Sequence, residues 1–247
     1  MAMDAVVFDV DGTICFNGTS VSPEIVTALR SLREQVRVVF ASARPVRDLL
    51  PVLPEDLHDC ALIGGNGAFL RDGGQLTVLG IAREGRQALD AIIEEHGLRV
   101  LVDGDWDYSF SGDSSHRIFR QLDAGRLAKN VARDQIATYS KVVLFTEDSA
   151  VIEELGRTSL SFTVHPDESI IDIAPAGITK HDAICRLGIA DRRYVAFGND
   201  ANDMLMLERA GVSYCVGNHD ALDFADHHLA VEDVAHAIQR LAISLAG

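Results

Sequence analysis

The chain has 247 residues, a formal net charge of −15, and hydrophobic and aromatic fractions of 47% and 6%. This is the composition of a globular protein, and it excludes nucleic acid and anionic membrane surfaces as expected partners, since both bind basic patches. No apolar run is long enough to span a bilayer and no basic, hydrophobic leader opens the chain, so we expect a cytoplasmic protein. Both a monomer and a homodimer are compatible with this composition.

The first elements are apolar strands that end in polar loops. Residues 5–8 form a short apolar run, typical of a strand buried on both faces in a parallel sheet. Ser22-Pro23-Glu24 predicts a helix start, with a hydroxyl cap followed by proline at the first helical position. Residues 36–41 and 60–63 predict two further buried strands. This repeated order of strand and helix predicts an α/β fold with a mostly parallel sheet.

The middle of the chain has a different texture and predicts a small α+β insert over residues 81–167. A helix is expected at residues 83–96 and a strand at 98–102, and further helix and strand candidates follow at residues 141–145, 151–155 and 161–164. The first pattern then resumes with strands at residues 170–173 and 194–197, so we expect one core domain built from residues 1–80 and 168–247.

Polar side chains follow several predicted strands of this core. Asp9 and Asp11 come directly after the first strand, with Gly12 allowing a sharp turn, and Ser42 and Asn66 follow the next two. In parallel sheets, ligands bind outside the carboxyl ends of the strands. Carboxylates in this position suit a hard cation such as Mg²⁺.

No set of histidines and cysteines suited to zinc is evident in the sequence. The four cysteines, at positions 15, 60, 185 and 215, lack CxxC spacing. Each lies in or beside an apolar stretch, so we expect small core residues in a reducing compartment.

Four motifs in order resemble those of a known family. They are Asp9-Val10-Asp11-Gly12-Thr13, Ser42-Ala43-Arg44-Pro45, Lys180 and Gly198-Asn199-Asp200-Ala201-Asn202-Asp203. Together they resemble the haloacid dehalogenase (HAD) superfamily, and more narrowly its Cof-type phosphatases with a type-IIB cap. The resemblance implies a Rossmann-like core with an inserted α+β cap, and a Mg²⁺-dependent phosphatase that works through an aspartyl-phosphate.

The resemblance also assigns catalytic roles by position. Asp9 would be the nucleophile, and Asp11 the acid that protonates the leaving oxygen and then activates water. Lys180 would hold phosphoryl oxygens and shield Asp9. The residues implied in substrate binding are Ser42, Ala43, Arg44, Asn66 and Asn202.

The implied magnesium site contains one departure from the family. The ion would be held by the Asp9 carboxylate, the Asp11 backbone carbonyl and the first position of the fourth motif. The family commonly has Asp there, whereas this chain has Asn199, and the neighbouring Asp200 is an alternative ligand. Asp203 belongs to the same group and would help to order the loop and the lysine.

The place of the insert bears on the function. About 30 residues separate Asp11 from Ser42, too few for a cap there, so the insert lies between Ser42 and Lys180 as in type-IIB phosphatases. Such caps usually close over small phosphorylated metabolites, often sugar phosphates. Two alternatives stay open, namely a phosphomutase or phosphotransferase of the same superfamily and a non-catalytic ligand-binding relative.

Overall fold

The computed structural model describes residues 3–246, with the side chains of all of these except residues 117, 120 and 167. The strands are, in chain order, β1 (Ala5–Asp9), β2 (Arg37–Ala41), β3 (Ala61–Gly64), β4 (Phe69–Asp72), β5 (Gln75–Val78), β6 (Val100–Asp103), β7 (Tyr108–Phe110), β8 (Lys141–Leu144), β9 (Ser161–His165), β10 (Ile170–Ala174), β11 (Tyr194–Gly198), β12 (Val212–Val216) and β13 (His227–Leu229). The α-helices are α1 (Pro23–Arg33), α2 (Val46–Leu49), α3 (Arg83–Glu95), α4 (Arg117–Gln121), α5 (Ser149–Leu155), α6 (Lys180–Arg186), α7 (Met204–Arg209) and α8 (Val234–Leu245).

The chain divides into two compact units. The core unit contains the residues up to Leu76 and those from Thr179 onwards, and the insert unit is Thr77–Ile178. None of the helices within residues 3–246 combines the length and the hydropathy needed to cross a membrane.

The core sheet has the strand order β13-β12-β11-β1-β2-β3-β4-β5. Its neighbours from β13 to β3 pair in parallel, and β4 joins β3 in the antiparallel direction. All five residues of β1 and of β11 are buried, as the unbroken apolar runs predict for strands covered on both faces. The predicted α/β fold with a mostly parallel sheet is confirmed.

The sheet topology brings four strand ends side by side. β1 lies between β11 and β2, and β3 lies beyond β2. From β1 the chain passes through α1 to β2 on one side, whereas β11 pairs with β1 on the other side after the insert. Because the strand order reverses at β1, a crevice for a ligand is expected at its carboxyl end.

The insert unit is an antiparallel sheet with helices against it, in the order β7-β6-β8-β10-β9. Alternate residues of its strands face opposite sides, as the two-residue period requires. Val100 and Val102 pack in one apolar cluster with Leu89 of α3, while Leu101 belongs to a separate cluster with Leu122. The predicted α+β character of this segment is therefore observed.

The structure differs from the sequence analysis at the end of the insert. Residues 170–173 were expected in the core sheet, but β10 pairs with β8 and β9 of the insert sheet. An apolar run is compatible with a strand in either sheet. The strand with which β10 pairs is therefore decided by the loop that connects it to its neighbour along the chain. β9 and β10 are joined by a four-residue loop in which Ser169 has φ of 53°, a hairpin that favours antiparallel pairing of neighbours along the chain.

Candidate active site

The centre of the site is the carboxylate of Asp9, the last residue of β1, which is only 5% exposed. Lys180 Nζ donates one hydrogen bond of 2.6 Å to Asp9 Oδ1 and another of 2.6 Å to Asp203 Oδ1. Lys180 and Asp203 are themselves buried, at 1% and 0% exposure. The ammonium group thus bridges two carboxylates in a region with little solvent, where charge interactions are strong.

The start of α6 explains how a buried lysine reaches this position. Thr179 caps the helix, its hydroxyl accepting from the backbone N–H of Asp182, and the Asp182 carboxylate accepts in return from the backbone N–H of Thr179. This reciprocal capping holds the first turn of the helix. Lys180 is the first helical residue, so its side chain is anchored by a well-defined helix end.

The buried cluster has one more negative group than positive groups, which perturbs its proton equilibria. Burial and the Asp203 carboxylate raise the pKa of Asp9 to about 7, against the opposing influence of Lys180 and of the Thr13 hydroxyl. Burial on its own would lower the pKa of Lys180, but the Asp203 and Asp9 carboxylates outweigh it and raise that pKa. The lysine therefore stays charged, and the nucleophile candidate is easily protonated without a further cation.

The loop after β1 places a hydroxyl and a backbone carbonyl beside Asp9. Thr13 Oγ1 donates a 2.9 Å hydrogen bond to Asp9 Oδ2. Gly12 has φ of +81°, and a Cβ added there would collide with the amide of Asn199. A glycine is needed here because both the left-handed backbone and the close approach exclude a side chain.

Asn199, the first residue after β11, faces three oxygen atoms. The end of its amide lies 2.9 Å from Thr13 Oγ1, 3.0 Å from Asp9 Oδ2 and 2.9 Å from the Asp11 carbonyl oxygen. With the amide nitrogen inward, its two hydrogens are donated among these three acceptor oxygens. With the amide oxygen inward, Thr13 can donate to it, but the Asp9 and Asp11 oxygens face it with no hydrogen between them.

These oxygens fit a magnesium ion. Mg²⁺ takes octahedral oxygen ligands at 2.0–2.1 Å, so adjacent ligand oxygens are about 3 Å apart. The Asn199 amide end already lies at 3.0 and 2.9 Å from the Asp9 and Asp11 oxygens. An Asn199 amide oxygen that points inward is repelled by the Asp9 and Asp11 oxygens when no ion is present. A cation between these three oxygens makes the same orientation favourable.

The other carboxylates of the loop after β11 form hydrogen bonds within that loop. Asp203 Oδ2 accepts from the backbone N–H groups of Asn199 and Asp200, at 2.9 and 3.2 Å. Asp200 Oδ1 accepts from the N–H of Ala201 at 2.6 Å and lies 3.3 Å from His219 Nε2. Of the metal-ligand candidates, Asp9, Asp11 and Asn199 come together, whereas the Asp200 and Asp203 carboxylates are used to shape the loop and to hold the lysine.

Arg44, expected at the substrate, pairs with the acid/base candidate. Its Nε and Nη2 donate to the two oxygens of Asp11 at 2.8 and 2.5 Å, and Nη2 also donates to the carbonyl of Gly18 at 2.8 Å. The Arg44 side chain is 13% exposed and that of Asp11 is 42% exposed. The Asp11 carboxylate is thus held in one orientation while it remains accessible from solvent.

The other substrate-binding candidates lie in the loops after β2, β3 and β11. Ser42 is fully buried, and its hydroxyl accepts from the N–H of Arg44 at 3.0 Å, with Ala43 between them. Its carbonyl accepts from the N–H of Asn66, which has φ of 54°. Asn202 Nδ2 donates to Asn66 Oδ1 at 3.3 Å. The loops that carry the sequence motifs are therefore joined directly by hydrogen bonds.

Thr13 is the site residue that sequence reasoning did not single out. It stands in the first motif, directly after the glycine, and its hydroxyl contacts both Asp9 and Asn199. The sequence feature that could have indicated Thr13 is a hydroxyl residue directly after a turn glycine at the end of a strand. The structure was needed to show that this hydroxyl points back at the carboxylate.

Several known proteins are similar to this chain over most of its length. A sequence model of the haloacid dehalogenase-like hydrolase family matches residues 6–238. HMP-PP phosphatase from Klebsiella pneumoniae (strain 342) is 25% identical over 232 residues, covering 85% of this chain and 83% of that protein. Phosphoglycolate phosphatase from Methanospirillum hungatei JF-1 is 24% identical, covering 90% and 88%. The solved structure of the HAD subclass IIB sugar phosphatase BT4131 has a TM-score of 0.76 at 20% identity, covering 97% and 99%.

The parallel sheet with buried charges at its carboxyl edge defines a Rossmann-like α/β enzyme core. Since the family match spans nearly the whole chain, the chain belongs to the haloacid dehalogenase-like hydrolases. The family predicted from the four motifs is confirmed, and the likeness to BT4131 supports the same fold.

Proposed function

We propose that this hydrolase is a Mg²⁺-dependent phosphatase that releases phosphate from a small phosphorylated metabolite through an aspartyl-phosphate on Asp9. The observation that carries the proposal is the buried Asp9 carboxylate, with Lys180 on one oxygen and the Thr13 hydroxyl on the other. A carboxylate fixed at both oxygens, beside a fixed positive charge, is preorganised to attack a phosphoryl group.

Asp9 Oδ2, the Asp11 carbonyl oxygen and the Asn199 amide oxygen would hold the magnesium ion, which the oxygen spacings described above support. When bound, Mg²⁺ supplies positive charge to the oxygens of the transferring phosphoryl group. Asn199 brings no charge of its own, so we expect weaker metal binding than an aspartate would give at this position.

Asp11 serves as the acid and then the base. It protonates the leaving oxygen as Asp9 takes the phosphoryl group, and the carboxylate then takes a proton from the water that cleaves the aspartyl-phosphate. Arg44 orients this carboxylate through both of its oxygens. Lys180 keeps its proton throughout, because two carboxylates surround it, and it neutralises charge on Asp9 and on the phosphoryl oxygens.

Ser42 contributes a donor for the phosphoryl group. Its oxygen accepts from the Arg44 N–H, which leaves the hydroxyl proton to be donated to a phosphoryl oxygen. Asn66 and Asn202, already hydrogen-bonded to each other, offer amide groups to the substrate at the same edge. These donors bind oxygen atoms of a phosphate without demanding a particular alcohol.

The relatives indicate the class of substrate. One acts on HMP-PP and another on phosphoglycolate, and BT4131 is a sugar phosphatase. These compounds share a phosphorylated group on a small organic molecule, and we propose a substrate of that class here, with sugar phosphates as the first candidates.

The test is phosphate release from p-nitrophenyl phosphate and a panel of small phosphate esters, with Mg²⁺ and with EDTA. We expect release that requires Mg²⁺ and is lost in Asp9→Asn. Asp59→Asn, which removes a carboxylate from an exposed surface pair with Arg33, is the matched control and should retain full activity. Turnover that survives Asp9→Asn or EDTA would overturn the proposal, and transfer of the phosphoryl group to an added sugar instead of water would show a mutase or phosphotransferase.

A further inference from the structure

Three side chains with metal-binding atoms meet on α6 and the loop that follows it, and none of them belongs to the candidate active site. His181 and Cys185 are four residues apart on the helix, a spacing that places both on the same face. Asp191 lies in the loop between α6 and β11. One nitrogen, one sulfur and one carboxylate oxygen from the three residues all lie within 4.8 Å of one another.

One of the individual distances matches that of a metal centre. His181 Nε2 lies 2.8 Å from Asp191 Oδ1 and 3.5 Å from Cys185 Sγ. In a tetrahedral zinc site, Zn–S is about 2.3 Å and Zn–N about 2.0–2.1 Å, so sulfur and nitrogen ligands are roughly 3.5 Å apart. The shorter nitrogen–oxygen distance is that of the hydrogen bond present without an ion. Replacing its proton by a cation needs that pair to open by about 0.5 Å.

The arrangement does not suit a nucleophilic cysteine. In a catalytic triad, the nucleophile and the carboxylate engage opposite nitrogens of the histidine ring. Here Asp191 bonds Nε2, and the Cys185 sulfur is also closer to Nε2, at 3.5 Å, than to Nδ1, at 4.0 Å. Cys185 Sγ therefore lies beside the imidazole ring, nearly equidistant from its two nitrogens, and the ring must turn so that Nε2 faces the sulfur before one ion can contact all three groups.

Arg209 lies behind Asp191, and the cysteine side of the cluster is open to solvent. Arg209 Nη1 lies 3.4 Å from Asp191 Oδ2, which fixes the carboxylate and leaves Oδ1 directed at His181. Such partners behind a ligand orient it for a metal. Cys185 is exposed, so an ion can enter from solvent and water can take the remaining coordination position.

We propose that His181, Cys185 and Asp191 bind a zinc-like divalent cation, with water as the fourth ligand. A thiolate and an imidazole select zinc over the hard Mg²⁺, so this site is chemically separate from the one at Asp9. The sequence predicted no zinc set because every cysteine was expected in the core. Cys185 is exposed instead.

The experiment titrates Co²⁺ and then Zn²⁺ into the full, reduced chain after treatment with EDTA and removal of the chelator. Cobalt bound by a thiolate gives a sulfur-to-metal charge-transfer absorption, which we expect at one equivalent and which Zn²⁺ should displace. Cys185→Ser should abolish the absorption, and His181→Gln should weaken Zn²⁺ binding about tenfold or more, since even losing a partner behind a ligand costs 10–100-fold.

Two controls separate this site from other thiols and from the active site. Cys60→Ser, which alters another incompletely buried thiol, should keep the cobalt absorption unchanged. Asp9→Asn should keep it as well, whatever happens to phosphatase activity. An absorption that persists in Cys185→Ser, or a wild-type chain that binds Zn²⁺ no more tightly than Cys185→Ser, would overturn the proposal.

Discussion

The guanidinium of Arg44 holds the carboxylate of Asp11 through two parallel hydrogen bonds, from Nε at 2.8 Å and from Nη2 at 2.5 Å. Forked pairs of this kind fix orientation as well as charge, which a lysine cannot reproduce. The residue that sequence reasoning placed at the substrate therefore also positions the proposed acid/base group.

The first prediction concerns this pair. Arg44→Lys keeps the charge but removes the fork, and we expect kcat/KM to fall roughly 10- to 100-fold because a catalytic group is misplaced. Steady-state kinetics with a phosphate ester measure the change. Arg30→Lys is the matched control, since Arg30 makes the same forked pair with Asp56 on the surface. Equal activities of the two variants would show that the fork at Asp11 is not used.

The second prediction separates the function of Asp9 from its effect on stability. Because its folded pKa is raised to about 7, the unfolded chain loses this proton at lower pH than the folded chain. The metal-free protein should therefore lose stability as the pH rises from about 4 to about 7, and then lose no more from this group. Asp9→Asn removes the ionisation.

We expect Asp9→Asn to have no turnover, yet to melt at a higher temperature than the wild-type chain above pH 7 in EDTA. The difference should shrink as the pH falls towards about 4, where both chains are neutral at this position. Thermal unfolding followed by circular dichroism measures it. A variant that is less stable by the same amount at every pH would contradict the raised pKa.

The third prediction tests the metal site through Asn199. Asn199→Asp adds a negative charge beside Asp9 and the Asp11 carbonyl. The apparent dissociation constant for Mg²⁺ should therefore fall by on the order of tenfold. In EDTA, the same charge should lower the melting temperature, because a further carboxylate joins a buried cluster that already contains Asp9 and Asp203.

The companion variant for this experiment is Asp200→Asn, in which the amide can still accept the hydrogen bond of the loop. Its Mg²⁺ constant should stay within about twofold of the wild-type value, since its carboxylate is used by the loop. If Asp200→Asn weakens Mg²⁺ binding and Asn199→Asp does not strengthen it, then Asp200 holds the ion and Asn199 does not.

The fourth prediction concerns the hydrogen bonds that join β12 to the loop before β13. Asp226 Oδ2 accepts from the backbone N–H and the hydroxyl of Ser213, both at 2.9 Å, and these bonds hold the pKa of Asp226 below its ordinary value. Stability from such a group is present above the unfolded pKa and is lost as the pH falls through the folded pKa.

Asp226→Asn should therefore lower the free energy of unfolding by up to about 1 kcal/mol at neutral pH, since solvent screens this exposed carboxylate, and by progressively less below about pH 4. Urea unfolding at a series of pH values measures this. The control is Asp59→Asn, which changes an exposed surface carboxylate and should lower the free energy of unfolding at neutral pH by less than Asp226→Asn does. A deficit for Asp226→Asn that does not change with pH would mean that the carboxylate charge is not involved.

Local sequence determined the elements of the core and the edge at which the site lies. Apolar runs such as residues 5–8 are too hydrophobic for a solvated face, and the turn residues that follow them mark where each strand ends. Ser22 and Pro23 likewise start α1 as predicted, because capping is a property of a few neighbouring residues. With parallel pairing, these local signals were sufficient to place Asp9, Ser42 and Asn66 at one edge.

Only the tertiary structure decided which groups touch. β10 belongs to the insert sheet because it forms a hairpin with β9. Its apolar pattern alone does not indicate in which of the two sheets it lies. Asp200 and Asn199 are adjacent in sequence, yet the turn directs one to its own backbone and the other to Asp9. The contact between Arg44 and Asp11 joins residues 33 positions apart, and the hydrogen bond between His181 and Asp191 depends on the path of the loop after α6. Neither can be predicted from the local patterns of a single sequence.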